Sequence, residues 1–177
     1  MSTKTEPAPA RDVILESELW REAPFAPNAV ETAEQAMAAL AAELALPSGH
    51  GWAILLADDA TLRQMNRDYR GKDRATNVLS FPAFLPDALP ETGHIGDIAI
   101  GAETVLAEAL DGDISPLHHL AHMVVHGLAH LAGLDHATDA EAEDMEALEV
   151  RALARMGVPN PYANSEPDRD REPAAAP

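Results

Sequence analysis

Three histidines in the second half of the sequence have the spacing of a metal site. His126 and His130 are four residues apart, and His136 follows six residues later, beyond Gly133. On an α-helix, residues four apart lie on one face about one turn along, so the first two imidazoles can reach the same ion. A glycine lets the chain leave a helix in a left-handed turn, which would bring the third imidazole back. Three neutral nitrogens with an open fourth position are typical of a catalytic zinc site.

Hydrolysis is the chemistry that this spacing indicates. A zinc-type ion lowers the pKa of its water toward neutrality and polarises the oxygen under attack. The metzincin peptidases share the spacing, but they carry a glutamate base directly after the first histidine. This chain has Gly127 at that position. The spacing alone does not say which bond is hydrolysed.

The remaining histidines of this segment have simpler interpretations. His118 and His122 share a helical stripe with the predicted ligands, and such a stripe can be merely a polar face. Only the last pair of the stripe is followed by a glycine and a third histidine. We therefore expect His122 to be an outer or substrate-side group. Asp135 could orient an imidazole, or it could cap the turn through a hydrogen bond to the backbone.

Composition limits the class of protein. The 177 residues, 46% of them hydrophobic, suffice for one compact domain. There is no cysteine, so a metal must be held by His, Asp or Glu. No apolar run approaches the length of about 18 residues that spans a membrane, and the N-terminus lacks the apolar segment of a signal peptide. We expect a cytoplasmic protein with no membrane partner.

Charge is distributed unevenly. The net charge of −18 argues against a broad polyanion-binding face. Five of the twelve Lys and Arg residues nevertheless fall within one short segment. This segment could bind a nucleic acid locally, or it could be a solvated basic helix face. Its cations are Arg63, Arg67, Arg70, Lys72 and Arg74.

Hydrophobic periodicity predicts the elements that position these residues. The predicted strands cover residues 13–20, 51–57, 77–81 and 95–101, and the predicted helices cover 29–46, 59–69, 102–110, 116–131 and 139–156. Asp58 or Asp59 can cap the second helix. This order predicts a single α+β domain over residues 12–160, a small mixed four-stranded sheet with helices packed on it and a zincin-like metal-binding helix. Residues 1–11 and 161–177 are predicted to be flexible tails.

Three sequence blocks resemble one family. The segment from Met65 to Pro82 follows the pattern Leu-Asn-x-x-Tyr-Arg-x-Lys-Asp-x-x-Thr-[Asp/Asn]-Val-Leu-Ser-Phe-Pro. A Gly-Asp-Ile strand at residues 96–98 and the segment His122–Gly127 follow in the same order. Together they are similar to the YbeY family of bacterial endoribonucleases, metal-dependent enzymes of ribosomal RNA maturation. The resemblance runs from about residue 59 to residue 162.

The resemblance implies both the site and the substrate. It implies that His126, His130 and His136 bind one zinc ion per chain, and that Arg70 is an essential arginine beside the metal. It also implies single-stranded ribosomal RNA as substrate, in maturation of the 16S 3′ end and ribosome quality control. Ribosomal particles or ribosome-associated proteins would be the partners.

The chemistry of Arg70 is compatible with that role. A guanidinium binds phosphate through two parallel hydrogen bonds and stays charged as negative charge builds up. Alternatively, Arg70 is a surface residue paired with Asp68 or Asp73. Tyr69 could stack on a base, or it could belong to the core.

Two other functions remain open on the sequence. One is a metallopeptidase that uses another carboxylate as its base, against which Gly127 weighs. The other is a non-catalytic ribosome-assembly factor with a structural metal. Structural zinc sites normally have four protein ligands, which a cysteine-free chain with three spaced histidines fits poorly.

Overall fold

A four-stranded sheet lies at the centre of the protein, for which a computed structural model describes residues 10–85 and 88–163. The strands are β1 (Arg11–Leu15), β2 (His50–Ala57), β3 (Val78–Pro82) and β4 (Gly93–Gly101). The helices are α1 (Ala29–Glu43), α2 (Asp59–Arg70), α3 (Ala102–Asp111), α4 (Pro116–Leu131) and α5 (Asp139–Arg155). A 3-10 helix covers Glu18–Arg21.

The sheet is mixed, as the sequence predicts. Its order is β1-β2-β4-β3, with β1, β2 and β4 parallel and β3 antiparallel at one edge. Side chains alternate between the two faces of a strand. On β2, Trp52 and Ile54 are buried in the main core, which includes residues of α1 and α4. Ala53 and Leu55, on the opposite face, are only half-buried.

The second face of the sheet carries α2. Asp58 caps this helix by accepting a hydrogen bond from Thr61 N at 2.8 Å. Leu62 of α2 packs with Leu79 and Ala99 in a smaller cluster separate from the main core. Consequently α2 and α4 lie on opposite faces, with β3 as the edge strand between them.

The first predicted strand is shorter than the sequence pattern indicates. We expected a strand over residues 13–20, whereas β1 ends at Leu15 and the 3-10 helix follows. Ser17 starts this helix, since its side chain accepts a hydrogen bond from Leu19 N at 3.3 Å. The turn carries Trp20 into the core, where its indole Nε1 donates to Ala57 O at 2.8 Å. Its hydrophobic side chain is buried, but not as part of a strand.

Both predicted tails contain residues that pack on the domain. The Arg11 guanidinium lies 4.2 Å from the ring centre of Trp52, and its Nε donates to His50 O. At the other end, the Tyr162 hydroxyl donates to the buried carboxylate of Glu149. Residues 1–9 and 164–177, the rest of the predicted tails, lie outside the described residues. Within the described part of the chain, no helix is both long and apolar enough to cross a membrane.

Helix α4 approaches the sheet so closely that any side chain at position 127 would displace its neighbours. A Cβ atom on Gly127 would lie 2.8 Å from Ile98 Cγ2 and 3.2 Å from Val78 Cγ2. The Ser80 hydroxyl of β3 also donates to Gly127 O at 3.1 Å. This close approach fixes the height of α4, and hence of its histidines, above β3 and β4.

Replacing Gly127 by alanine tests this packing. Glycine to alanine inside a helix ordinarily stabilises a protein by about 0.5–1 kcal/mol. Here the added methyl meets Ile98, so we expect the free energy of unfolding to fall by about 1–3 kcal/mol, as in overpacked cores. Urea denaturation measures the change, and in an Ile98→Ala background the same substitution should cost less. A Gly127→Ala variant more stable than the parent would contradict the packing.

Candidate metal centre

Helix α4 presents a histidine stripe opposite its buried face. It begins at Pro116 after Ser115, with proline in the first turn where a missing N–H costs little. Leu120, Val124 and Leu128 are buried in the core. The stripe on the other side is half-buried and consists of His118, His122, His126 and His130.

The end of α4 brings the third histidine to the first two. Gly133 has a φ of 92°, in the left-handed region that glycine favours. The chain closes the helix there, with Leu134 N donating to Ala129 O at 3.1 Å. One nitrogen from each of the three imidazoles lies within 4.8 Å of the others. Among the described residues, His126, His130 and His136 form the one such group of potential metal ligands.

Two hydrogen bonds set the tautomers of the first two ligands. His126 Nδ1 lies 2.8 Å from Glu149 Oε1, and His130 Nδ1 lies 3.0 Å from Leu134 O. A carboxylate and a carbonyl only accept, so both Nδ1 atoms must carry the proton. In a neutral imidazole the other nitrogen is then a bare acceptor. When both rings are neutral, two bare Nε2 atoms face each other at 3.2 Å.

A divalent cation fits between these two Nε2 atoms. Burial, and next the neighbouring His126 and His136, lower the pKa of His130 to about 4, so its ring is neutral at pH 7. Two facing lone pairs without a cation would repel each other. Two nitrogens each about 2.05 Å from one tetrahedral zinc ion are about 3.3 Å apart, which agrees with the arrangement here. The donor set therefore suits a zinc-class ion.

Glu149 of α5 supports the centre from behind. Its side chain is buried, with a relative exposure of 1%. Burial by itself raises the pKa of this carboxyl, but hydrogen bonds from His122 and His126 outweigh burial and bring the pKa to about 2. The ionised carboxylate accepts from His126 Nδ1, from His122 Nε2 at 3.0 Å, and from the Tyr162 hydroxyl. Such partners orient metal-binding imidazoles and raise their basicity.

The motif search missed Glu149, although the sequence holds a signal for it. Met145, Leu148 and Ala152 form the buried stripe of α5, and Glu149 lies within that stripe. A carboxylate at a core position of an amphipathic helix requires buried partners. Here those partners are the two histidines and Tyr162.

The structure distinguishes between the alternative interpretations given above for His122 and Asp135. His122 is connected to the predicted ligand His126 through Glu149, as expected of an outer group. Asp135 Oδ1 accepts from His136 N at 2.8 Å, so this carboxylate stabilises the turn. His119, which has no predicted role, pairs with Glu108 at 2.7 Å.

Arg70 is not engaged in the ion pairs considered for it. Asp68 pairs with Arg67, and Asp73 accepts two hydrogen bonds from Arg63. Within residues 10–85 and 88–163, the exposed Arg70 side chain makes no ion pair or side-chain hydrogen bond. Arg70 ends α2, whereas the three histidines lie on α4 and in the turn after it, on the other face of the sheet, and no described hydrogen bond connects Arg70 to them.

The five cations of the predicted basic segment differ in their partners. All five of its cations are exposed. Arg63 pairs with Asp73 and Arg67 pairs with Asp68. The other three cations of the segment, Arg70, Lys72 and Arg74, form no ion pair with any described residue.

Comparison with known proteins assigns the chain to a family. The family model described as Endoribonuclease YbeY matches residues 20–157. The chain belongs to the YbeY family. A relative named Endoribonuclease YbeY from Azorhizobium caulinodans is 48% identical over 155 residues, which cover 86% of this chain and 95% of the relative. A second, from Bradyrhizobium sp. strain BTAi1, is 44% identical over 168 residues, covering 90% and 96%.

A solved structure has the same fold. The solution structure of a protein from Thermotoga maritima matches with a TM-score of 0.54 and 20% sequence identity. The match covers 91% of this chain and 99% of that protein. The resemblance inferred from the three sequence blocks and the predicted α+β fold are both confirmed.

The metal helix of this YbeY-family chain has no room for the peptidase base. Position 127, where metzincins carry glutamate, faces Ile98 and Val78 in the core. A glutamate there would have to displace the side chains of Ile98 and Val78. Both carboxylate oxygens of the nearby Glu149 are already hydrogen-bonded. The geometry thus disfavours the peptidase alternative.

Substituting Glu149 by glutamine tests its support of the ligands. Glutamine keeps the shape but offers one acceptor oxygen, so at least one imidazole donor loses its partner. We expect the affinity for zinc to fall about 10- to 100-fold, measured by competition with a chelator. Glu143→Gln, an exposed position of the same helix, is the matched control. Unchanged affinity in Glu149→Gln would show that the contact is dispensable.

Proposed function

We propose that this protein hydrolyses single-stranded ribosomal RNA using one zinc ion held by His126, His130 and His136. As a member of the YbeY family, it is an endoribonuclease of ribosomal RNA processing. The observation that carries the metal assignment is the pair of bare Nε2 atoms 3.2 Å apart, with their tautomers set by Glu149 and Leu134.

The donor set supports zinc in particular. Three neutral imidazoles without thiolate or carboxylate ligands are the set found in catalytic zinc sites such as carbonic anhydrase. When bound, such an ion supplies positive charge that activates water and polarises a phosphoryl oxygen. Glu149 and the Leu134 carbonyl hold the protons on the Nδ1 atoms, so that the Nε2 atoms remain ligands at pH 7.

Arg70 is the residue that we propose to stabilise the phosphate. Its guanidinium is exposed and has no acidic partner among the described residues, so binding a phosphate breaks no existing ion pair. Bidentate hydrogen bonds to the phosphate would become stronger as negative charge develops. Its position at the end of α2, beside the edge strand β3, requires the RNA backbone to pass around that edge.

The small basic surface favours an unpaired RNA strand as substrate and limits the specificity that the protein itself can provide. With a net charge of −18, the protein repels polyanions over most of its surface, leaving Arg70, Lys72 and Arg74 as the main contacts. An unpaired strand can bend toward such a small patch, whereas an A-form duplex holds its phosphates rigidly. We infer that specificity for the 16S 3′ end, and any role in quality control, comes from the ribosomal particle or its proteins in the cytoplasm.

Removal of each proposed ligand tests the metal site. We expect about one zinc ion per chain in the parent and in His118→Ala, and less than stoichiometric metal in His126→Ala, His130→Ala or His136→Ala. Because the ligating nitrogens must be unprotonated, affinity should also fall as the pH drops below about 6.5. Metal analysis after gel filtration measures both effects. Full occupancy in His136→Ala would remove that residue from the ligand set.

Substitution of Arg70 separates chemistry from stability. Since its side chain is exposed and forms no ion pair with the described residues, Arg70→Ala should keep its metal and its melting temperature. Cleavage should fall about 10²-fold or more, the scale for one transition-state donor. Arg70→Lys should recover little, because a point charge does not replace the guanidinium fork. Arg21→Ala controls for the loss of one surface charge, and normal cleavage by Arg70→Ala would contradict the role.

A salt series tests how the RNA is bound. Each lost phosphate contact on a single strand lowers the slope of log K against log salt by about 0.7. The double variant Lys72→Ala/Arg74→Ala should thus lower the slope by about 1.4. Arg63→Ala should change the slope less, because Arg63 already forms an ion pair with Asp73. Matched single- and double-stranded RNA should differ, with the single strand cut faster. Equal slopes in all variants would exclude this patch, and equal cutting of both RNAs would exclude the strand preference.

A further inference from the structure

The sheet face opposite α4 contains an apolar cavity that the metal site does not use. Its volume is about 390 Å³, within the range of about 300–1,000 Å³ typical of small-molecule sites. Ala53, Leu55 and Ala99 of the sheet line it, and Met65 and Tyr69 of α2 form a wall. Ile14 of β1 lines it as well and stays 50% exposed.

Tyr69 has the placement of a stacking platform. Its side chain is 73% exposed, which is unusual for an aromatic residue next to an apolar cavity. Its ring centre lies 5.0 Å from that of Phe81, at an interplanar angle of 65°. Phe81 therefore holds the tyrosine ring from one side while most of it faces solvent. Unstacked bases of single-stranded RNA bind to aromatic rings presented in this way.

The charges in and near the cavity favour a base rather than a phosphate as its occupant. Arg70 follows Tyr69 in the sequence, and the exposed Lys72 and Arg74 lie just beyond it. Asp97, which also lines the cavity, carries a carboxylate that would repel a phosphate. Asp97 accepts a hydrogen bond from His94 Nε2 at 2.8 Å and can accept others from a base edge. The backbone of a bound strand thus matches the cations that follow Tyr69 in the sequence, and a base matches the interior of the cavity.

The cavity and the histidines lie back to back across the same strands. Ile98 lines the cavity, and its Cγ2 lies 2.8 Å from the position of a Cβ on Gly127, the neighbour of His126. Gly96, next to Asp97, has a similarly close approach to Leu131, the neighbour of His130. A strand that passes around the edge strand β3 would therefore connect the two sites over a short path.

We propose that this cavity binds one unpaired nucleobase of the RNA substrate, stacked on Tyr69, a few nucleotides from the bond that is cut. The inference rests on the proposed function, since it takes the occupant from the same RNA. It also gives the strand preference a second cause, because a base that enters the cavity has left any duplex.

An abasic scan tests the proposal. RNA oligomers with a single abasic nucleotide at successive positions around the cut are cleaved by the zinc-loaded protein, and kcat/KM is measured for each. For the parent, one position should lose about tenfold, the scale of one base stacked on an aromatic ring. Tyr69→Ala should lose about tenfold on intact RNA and be insensitive at that position, whereas Tyr69→Phe should behave like the parent. Leu110→Ala, which removes another exposed apolar side chain on α3, is the control.

The outcomes distinguish a failure of this proposal from a failure of the proposed nuclease function. A parent protein that cuts intact RNA but shows no sensitive position overturns the cavity assignment and leaves the nuclease assignment standing. So does a Tyr69→Ala variant with the profile of the parent. If that variant cuts free RNA normally but no longer sediments with ribosomal particles, the cavity receives a ribosomal protein and the proposal is wrong. No cleavage of intact RNA by the parent would overturn both.

Discussion

The buried carboxylate of Glu149 is the contact on which the centre depends. It lies behind His126 and accepts a hydrogen bond from Nδ1–H, so that the Nε2 lone pair points at His130. The Leu134 carbonyl does the same for His130. The turn at Gly133 supplies both that carbonyl and the return of His136. Without these two acceptors, the tautomers and ring orientations of His126 and His130 would not be fixed.

A carboxylate buried to this degree couples the site to the fold. Burial of a charge is costly unless hydrogen bonds replace its water. Here His122, His126 and Tyr162 supply the donors, from α4 and from the segment after α5. Helix α5 is itself fixed at its start by a capping box between Thr138 and Glu141. The packing of α4 against α5 is therefore part of the candidate metal site, just as the close contact of Gly127 with the sheet is.

The sequence predicted local features well and distant partners poorly. Ligand spacing depends on residues within one helix and turn, so the clustering of His126, His130 and His136 could be predicted from the sequence, as could helix α4. Trp20 was placed in a strand because its burial depends on Ala57, 37 residues away. Glu149 was missed for the same reason. The pairing of Arg63 with Asp73, and the open sheet face beside Tyr69, follow from how α2 packs and leave no periodic signal.

The most direct test of the central claim is nitrogen NMR of the histidine rings. Two-bond ¹⁵N–¹H correlation spectra show which ring nitrogen carries the proton. For the metal-free protein at pH 7, the account predicts neutral rings protonated at Nδ1 for His126 and His130. On addition of zinc, the Nε2 resonances should shift and the Nδ1 protons should remain. Protonation at Nε2 in the metal-free protein, or metal bound through Nδ1, would contradict the account.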